Sequence, residues 1–235
     1  MDAKMIAENV AHIRETMAQA ARDAGRAPED IQLCAATKMN DADAVRAAIA
    51  AGVDCCGENR VQELQQKLPQ GAYAGKPLHF IGRLQTNKVK YLVGTVDLIE
   101  SVDRMELLET IDKLAQKRGV VQRILLEVNI AGQESKAGFT ADEAAQLAAK
   151  MGDYPGVKLC GLMAIPPVSE HPGDNRIFFR QMRQLFVDIK GKTYDNVAME
   201  CLSMGMSDDY PDAIAEGSTM IRVGTAIFGA RHYNT

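Results

Sequence analysis

No long apolar run and no block of like charge occurs in this sequence. The longest apolar stretches, such as 124–128 with Glu127 inside it, fall far short of the roughly 20 residues that cross a bilayer. The 27 basic and 31 acidic side chains are mixed along the chain, whereas nucleic-acid-binding segments carry runs of about five or six like charges. We therefore expect neither a membrane protein nor a nucleic-acid partner.

A secretory signal and a cysteine framework are missing as well. The N-terminus enters an amphipathic helical pattern without a continuous apolar segment, which predicts a cytoplasmic protein. The five cysteines include no CxxC pair and no histidine at zinc-finger spacing, so we expect no disulfide framework and no metal site. We interpret all five cysteines as reduced thiols that pack as small apolar side chains. They are Cys34, Cys55, Cys56, Cys160 and Cys201.

No linker rich in glycine, serine or proline divides the chain. Its 235 residues, 46% hydrophobic and 25% charged, have an ordinary globular composition. That length allows two domains of about 100–120 residues or one α/β barrel of roughly 200–250. Without a linker, one domain over residues 1–235 is the prediction.

Short apolar runs alternate with helical patterns along the chain. An amphipathic helix comes first, with Ile6, Val10, Ile13 and Met17 on one face. Eight runs without polar alternation follow, which is typical of strands covered on both faces by helices. Eight such units favour closure into a (β/α)₈ barrel with an additional N-terminal helix. The runs are 31–37, 53–57, 78–82, 97–101, 124–130, 157–163, 198–203 and 220–224, and the predicted helices between them are 41–51, 59–68, 104–118, 141–151, 177–189 and 210–216.

The end of the first predicted strand carries the most telling polar residue, Lys38. Function in such a barrel belongs at the C-terminal ends of the strands, where the loops gather around one mouth. A lysine there is partly desolvated, which lowers its pKa and leaves an amine able to attack a carbonyl. The plain alternative is a surface lysine that reaches out into solvent from a strand end. The position of Lys38 at the end of an apolar strand favours the functional interpretation.

The last two predicted strands end in residues suited to phosphate. The segment 203–207, Ser-Met-Gly-Met-Ser, offers hydroxyls and backbone N–H groups, and Gly224-Thr225 leaves room for close approach of a ligand. Alternatively, Ser207 caps the following helix, with the aspartates at 208–209 in its first turn. Together with the amine of Lys38, these residues suggest a phosphorylated carbonyl ligand.

Arg222 lies within an otherwise apolar strand. An interior arginine is costly unless it is paired or binds a ligand, so a structural salt bridge to Glu127 or Glu200 and a ligand-facing role remain open. Facing a ligand, its guanidinium would hold a ring nitrogen unprotonated. His79 is interpreted as a structural histidine at the far end of the barrel, and Lys136 as an exposed loop lysine.

Five co-linear blocks of the sequence resemble the YggS/PROSC-type pyridoxal phosphate homeostasis proteins. The blocks are 35–38 (AATK), 57–63 (GENRVQE), 79–88 (HFIGRLQTNK), 161–167 (GLMAIPP) and 202–229, which begins LSMGMS and ends RVGTAIFG. They occur in order over nearly the whole chain. The resemblance implies a barrel of the alanine-racemase N-terminal type with pyridoxal 5′-phosphate (PLP) as its cofactor.

The same resemblance assigns roles to individual residues. Lys38 would hold PLP as a Schiff base, and Ser203 with Gly224 and Thr225 would hold the phosphate. Arg222 would face the pyridine nitrogen. Asn59 and Met163 would line the ring, although Glu58 and Asn59 could equally cap the next helix. Lys136 matches a loop lysine of the family, and its participation in ligand exchange is a hypothesis.

The function implied is vitamin B6 homeostasis rather than catalysis. A protein of this family binds PLP and buffers it or delivers it to PLP-dependent apo-enzymes. The enzymatic relatives add a C-terminal domain, for which the six residues 230–235 leave no room, so we expect a monomer without strong activity. A small amino-acid racemase is the alternative. A barrel aldolase without cofactor fits less well, because its lysine commonly lies on a later strand.

Overall fold

Eight parallel strands close into a barrel in sequence order in the computed structural model of the protein, which describes residues 2–133, 136–168 and 171–229. The predicted (β/α)₈ architecture is confirmed. Each strand is hydrogen-bonded to the next, and β8 pairs with β1 to complete the ring. The strands are β1 Gln32–Ala36, β2 Cys55–Glu58, β3 Leu78–Phe80, β4 Leu98–Val102, β5 Gln122–Glu127, β6 Val157–Met163, β7 Val197–Ser203 and β8 Met220–Val223.

Helices cover the outside of the barrel. The α-helices are α1 Ala3–Asp23, α2 Ala42–Ala50, α3 Val61–Lys67, α4 Met105–Arg118, α5 Ala141–Ala148, α6 Arg176–Lys190, α7 Tyr210–Ala215 and α8 Thr225–Phe228. Between β3 and β4 the chain forms a 3₁₀ helix, Thr86–Tyr91, instead of an α-helix. Further 3₁₀ segments are Pro28–Asp30, Leu68–Gln70 and Met151–Asp153. Within these residues, no helix is both long and apolar enough to span a membrane.

Strand boundaries differ from the predicted ones by up to three residues. β6 matches the prediction at both ends. β5 ends at Glu127, before the apolar Val128 and Ile130 that were included in it. Val128 still donates its N–H to Met163 O at 2.8 Å, but beyond it the chain leaves the barrel wall. Apolar composition alone therefore extended this strand too far.

The N-terminal helix α1 covers one side of the barrel from the outside. Its apolar stripe of Ile6, Val10, Ile13 and Met17 is buried, as its spacing predicts. The stripe packs on outward-facing side chains of the first and last strands, including Leu33 and Ile221. α1 thus supports from outside the strand that leads to Lys38 and the strand that carries Arg222.

The barrel interior is rich in sulfur. It holds a separate apolar cluster made of Cys34, Cys55, Leu98, Leu125, Cys160, Met163, Cys201 and Met220. Cys56 belongs to the outer core instead, because neighbouring residues of a strand point to opposite faces. Gly57 keeps room for this cluster, because a Cβ there would lie 3.0 Å from Cys34 Sγ and 2.7 Å from Ile81 Cδ1.

Candidate functional site

Lys38 lies two residues after the end of β1 and is half-buried at the C-terminal end of the barrel. β1 lies between β2 and β8, with Ala36 opposite Gly57 and Ala35 opposite Val223. This register brings the ends of three strands together, so Lys38 emerges near the ends of β2 and β8, which lead into Asn59 and Gly224. The fold therefore places Lys38 at the barrel mouth among the polar ends of other strands, as the sequence predicts.

A buried ion pair holds the backbone just before Lys38. Lys67 Nζ donates to Glu58 Oε1 at 2.5 Å and to Thr37 O at 2.8 Å. The same carboxylate oxygen accepts from Thr37 Oγ1 at 2.6 Å and from Tyr73 OH at 2.8 Å. Burial, followed by the adjacent Glu58 charge, raises the pKa of Tyr73 well above its ordinary value, so the phenol stays protonated as a donor. Glu58 thus neither caps the next helix nor lines the mouth.

The backbone just after Lys38 is held by a second carboxylate. Glu63 Oε2 accepts from Met39 N at 2.6 Å and lies 3.5 Å from Lys67 Nζ. Met39 has a left-handed φ of 62°, a conformation that costs a side-chain-bearing residue free energy unless its surroundings impose it. Asn40 Nδ2 also donates to Lys38 O at 2.9 Å. Lys38 therefore projects from a backbone fixed on both sides, which sequence reasoning did not foresee.

Arg222 lies inside the barrel and is 4% exposed. Its Nη1 donates to Ser203 Oγ at 2.6 Å and its Nη2 to Ala164 O at 2.9 Å. Neither predicted salt bridge forms within the described residues. Glu200 instead pairs with Arg123 at 2.8 Å, and Glu127 is influenced by the charge of Arg222 without an ion pair. The guanidinium is thereby held in place by neutral groups.

Behind Arg222, a hydrogen-bonded path continues through the barrel interior. Ser203 Oγ donates to Glu100 Oε2 at 2.6 Å, and Glu100 Oε1 lies 2.7 Å from His79 Nδ1. Burial works to raise the pKa of Glu100, but the hydrogen bond and charge of His79, with the charge of Arg222, outweigh it and lower that pKa. Glu100 is therefore a carboxylate. The hydroxyl of Ser203 is already engaged on both sides, and its role as a phosphate ligand stays a prediction.

A hydroxyl pair marks the end of β8. Thr225 Oγ1 donates to Ser207 Oγ at 3.0 Å, and Ala226 N lies 3.4 Å from the same oxygen. Ser207 does not cap α7, whose N-cap residue is Asp209, so the alternative role considered for Ser207 is wrong. Gly224 adds open space, since a Cβ there would only reach van der Waals contact with Ala36. These groups together offer hydroxyls and backbone N–H groups to an anion.

Asn59 and Met163 lie on different sides of the barrel mouth. Met163 is buried inside the barrel at the end of β6. Asn59 is half-buried, and its Oδ1 is buried without a hydrogen-bond partner among the described residues. A cavity of about 330 Å³ adjoins it, lined also by Gly82, Glu127 and Lys136. Such an acceptor, buried without a partner, is costly unless a ligand or water completes it.

Lys136 links two loops at the rim of this cavity. Its Nζ lies 3.1 Å from Pro166 O and 3.4 Å from Ile165 O. The side chain is half-buried, so the interpretation as an exposed loop lysine is wrong. Lys136 fastens the loop after β5 to the loop after β6. A part in ligand exchange stays a prediction.

Glu127 gives the site a titratable group near neutral pH. Burial, followed by the neighbouring Asp103 charge, raises the pKa of Glu127 to about 7 against the lowering effect of Arg222. A carboxyl that binds its proton more tightly when folded loses stability as the pH rises from its unfolded pKa, about 4.3, to its folded pKa. Ionised Glu127 therefore destabilises the fold above neutral pH.

We expect Glu127→Gln to raise the free energy of unfolding at pH 8 by an amount on the order of 1–3 kcal/mol, and to change it little near pH 4.5. Urea unfolding between pH 4.5 and 8.5 measures the difference. Glu106→Gln, an exposed carboxyl on α4, is the control and should show no such pH dependence. Parallel pH profiles of wild type and Glu127→Gln would contradict the assignment.

Comparison with known proteins gives consistent matches over the whole barrel. The family model described as alanine racemase, N-terminal domain, matches residues 2–232. A pyridoxal phosphate homeostasis protein of Aquifex aeolicus is 42% identical over 226 residues, which cover 96% of this chain and 98% of that protein. The protein of the same name from Escherichia coli K12 is 39% identical over 233 residues, covering 97% and 98%.

Solved structures agree with these matches. PipY of Synechococcus elongatus, solved with PLP bound, is 33% identical with a TM-score of 0.81 and covers 95% of this chain and 100% of PipY. An alanine racemase of Corynebacterium glutamicum is 14% identical with a TM-score of 0.70, and the match covers 98% of this chain and 62% of the racemase. The second likeness shows the fold alone.

Proposed function

The chain belongs to the alanine racemase N-terminal domain family and to the pyridoxal phosphate homeostasis proteins, and from this premise we propose that it binds PLP and buffers or delivers it. Relatives of this name match nearly the full chain, and PipY has been solved with PLP bound. The observation that carries the proposal is the position of Lys38, just after β1 and near the ends of β2 and β8. The backbone on both sides of Lys38 is fixed, which suits a lysine that serves as the single covalent attachment point for PLP.

The residues present fit the chemical groups of PLP. The amine of Lys38 would hold the aldehyde carbon as a Schiff base. The Ser207 and Thr225 hydroxyls, 3.0 Å apart, with the backbone at Gly224 would hold the phosphate. Asn59, whose Oδ1 lacks a partner within the described residues, would take a polar substituent of the ring, and Met163 would pack against it.

Arg222 bears on the choice between storage and catalysis. Bound PLP supplies an electron sink whose strength depends on a protonated pyridine nitrogen. A guanidinium cannot accept a proton, and Ser203 and Ala164 fix this one in place. Opposite the ring nitrogen it would keep that nitrogen unprotonated and weaken the sink. Together with the name that the relatives share, this supports our proposal of a carrier with little activity of its own, which passes PLP to apo-enzymes. We propose further that it acts as a monomer in the cytoplasm.

Borohydride trapping tests the attachment residue. The purified protein, incubated with PLP, should absorb as a Schiff base and lose that absorption on reduction. Peptide mass mapping should then find the added mass on Lys38. Lys38→Ala should abolish this adduct, while Lys4→Ala, an exposed lysine of α1, should leave it unchanged. Labelling spread over several lysines, or unaltered in Lys38→Ala, would overturn the proposal.

A racemase assay tests the absence of strong catalysis. PLP-loaded protein incubated with L-alanine should form no appreciable D-alanine, measured by chiral chromatography. The control is an authentic alanine racemase under the same conditions. Sustained turnover that disappears in Lys38→Ala would instead establish the racemase alternative.

A further inference from the structure

Three potential metal ligands meet inside the barrel, away from Lys38. Cys34 on β1, Cys55 on β2 and His79 on β3 are buried, and one ligand atom from each lies within 4.8 Å of the other two. Cys34 stands opposite Cys55 in the strand register. No local spacing reveals this group, because its members are 21 and 24 residues apart. Closure of the barrel alone unites them.

The separation of these atoms suits one cation. Zinc binds thiolate sulfur at about 2.3 Å, so two sulfurs on a tetrahedral ion stand roughly 3.8 Å apart. The Cys34 and Cys55 sulfurs lie within 4.8 Å of each other, and the two residues are direct neighbours in the strand register. Small rotations of three side chains would therefore close the shell. Two thiolates and an imidazole are a ligand set that favours Zn²⁺ over hard cations.

Glu100 orients the histidine for this role. Its carboxylate lies 2.7 Å from His79 Nδ1, which places the imidazole proton on Nδ1 and the lone pair on Nε2. Histidine ligands of metals almost always donate their other N–H to a carboxylate or carbonyl in this way. Glu100 is fully buried and also accepts from Ser203 Oγ at 2.6 Å through its other oxygen, so its Oε1 stays turned toward His79.

A cavity leads to the cluster from the N-terminal end of the barrel. It has a volume of about 300 Å³, and Cys55 and His79 line it. Its lining includes five carboxylates and the guanidinium of Arg123. Arg123 pairs with one of them and Arg14 with another, which leaves a net negative charge that attracts cations. The carboxylates belong to Glu29, Asp30, Asp54, Asp97 and Glu200.

We propose that Cys34, Cys55 and His79 bind one Zn²⁺ ion at the N-terminal end of the barrel interior, with water from the cavity in the fourth position. Binding exchanges the two thiol protons for the metal, so that Zn²⁺, two S–H groups and a neutral imidazole give a zinc dithiolate with one imidazole ligand and two protons; a His79 protonated on Nε2 releases a third. Neither oxidant nor reductant is needed. The site stands on residues that the proposed PLP function does not use.

Zinc affinity measured by competition tests the site. The full-length protein, kept reduced and free of metal, is titrated with ZnCl₂ against a chromophoric chelator, with and without PLP. Wild type should bind one equivalent. Cys34→Ala and Cys55→Ala should each weaken zinc binding by at least about 100-fold. Loss of a residue that only hydrogen-bonds to a metal ligand costs up to about 100-fold, and loss of the ligand itself should cost at least as much. Cys56→Ala is the matched control, because its thiol packs in the outer core, and should bind as wild type does.

X-ray absorption at the zinc edge gives a reading that needs no variant. The wild-type complex should show two sulfur ligands near 2.3 Å and imidazole scattering. Circular dichroism confirms that each variant is folded. A shell of oxygen and nitrogen alone would overturn the proposal. Equal zinc affinity of wild type and the Cys34→Ala/Cys55→Ala double variant, or equal loss in Cys56→Ala, would overturn it too.

Discussion

Replacing Lys67 with methionine should lower the free energy of unfolding by about 3–5 kcal/mol, the cost of leaving a buried carboxylate without its cation. Glu58 is 0% exposed and Lys67 5% exposed, and their contact at 2.5 Å is a buried ion pair. Methionine keeps the volume of the lysine stem but cannot neutralise Glu58 or bind Thr37 O. Urea denaturation of the two proteins measures the difference.

Two variants separate this effect from ordinary surface electrostatics. Lys4→Met breaks an exposed pair with Glu8 on α1 and should not change stability measurably. In the double variant Lys67→Met/Glu58→Gln the uncompensated charge is gone, so much of the lost stability should return. Lys67→Met should also slow the trapping of PLP on Lys38, because Thr37 O loses its donor. A stability within 1 kcal/mol of wild type would show that this ion pair is not needed.

Gly82→Ala should destabilise the protein by about 3 kcal/mol, the upper range for an overpacked core. A Cβ at Gly82 would lie 2.6 Å from Asn59 Cα and would overlap the carbonyl oxygen of the same residue. Backbone cannot rotate aside as a side chain can, so the loop carrying Asn59 must move. Because Asn59 lines the proposed PLP pocket, PLP affinity should fall with stability. Thermal unfolding and PLP titration measure the two effects.

The control for Gly82→Ala is Gly191→Ala. Gly191 ends α6 with φ −70°, and a Cβ there would lie 3.4 Å from Val187 O. Alanine fits this conformation, so stability should stay within about 0.5 kcal/mol of wild type. If Gly82→Ala behaved as Gly191→Ala does, the close approach of the two loops would not be a constraint on the pocket.

The local pattern of the sequence sufficed for much of the fold. Apolar runs without polar alternation identified eight strands, because both faces of each strand are covered in a barrel. The position rule for such barrels then singled out Lys38 without knowledge of any neighbour. The end of β5 was misplaced, since Val128 and Ile130 are apolar residues of a loop.

What could not be predicted is which buried side chains meet once the barrel has closed. The contact of Lys67 with Glu58 links a helix to the strand before it, and nothing in either segment marks the pair. Ser203 reads as a phosphate ligand at a strand end, yet its hydroxyl meets Glu100, 103 residues away in the chain. Side chains inside a closed barrel find partners across the ring, and composition does not encode which ones.

The path from Arg222 through Ser203 and Glu100 to His79 runs between the two ends of the barrel interior. Three of its members are charged or able to become charged, and water does not screen them. A ligand that changes the charge at one end alters the electrostatic free energy at the other. Thermodynamic linkage makes that effect reciprocal. We therefore expect PLP bound beside Arg222 and a cation bound beside His79 to change each other's affinity, and titrating each with and without the other measures that change.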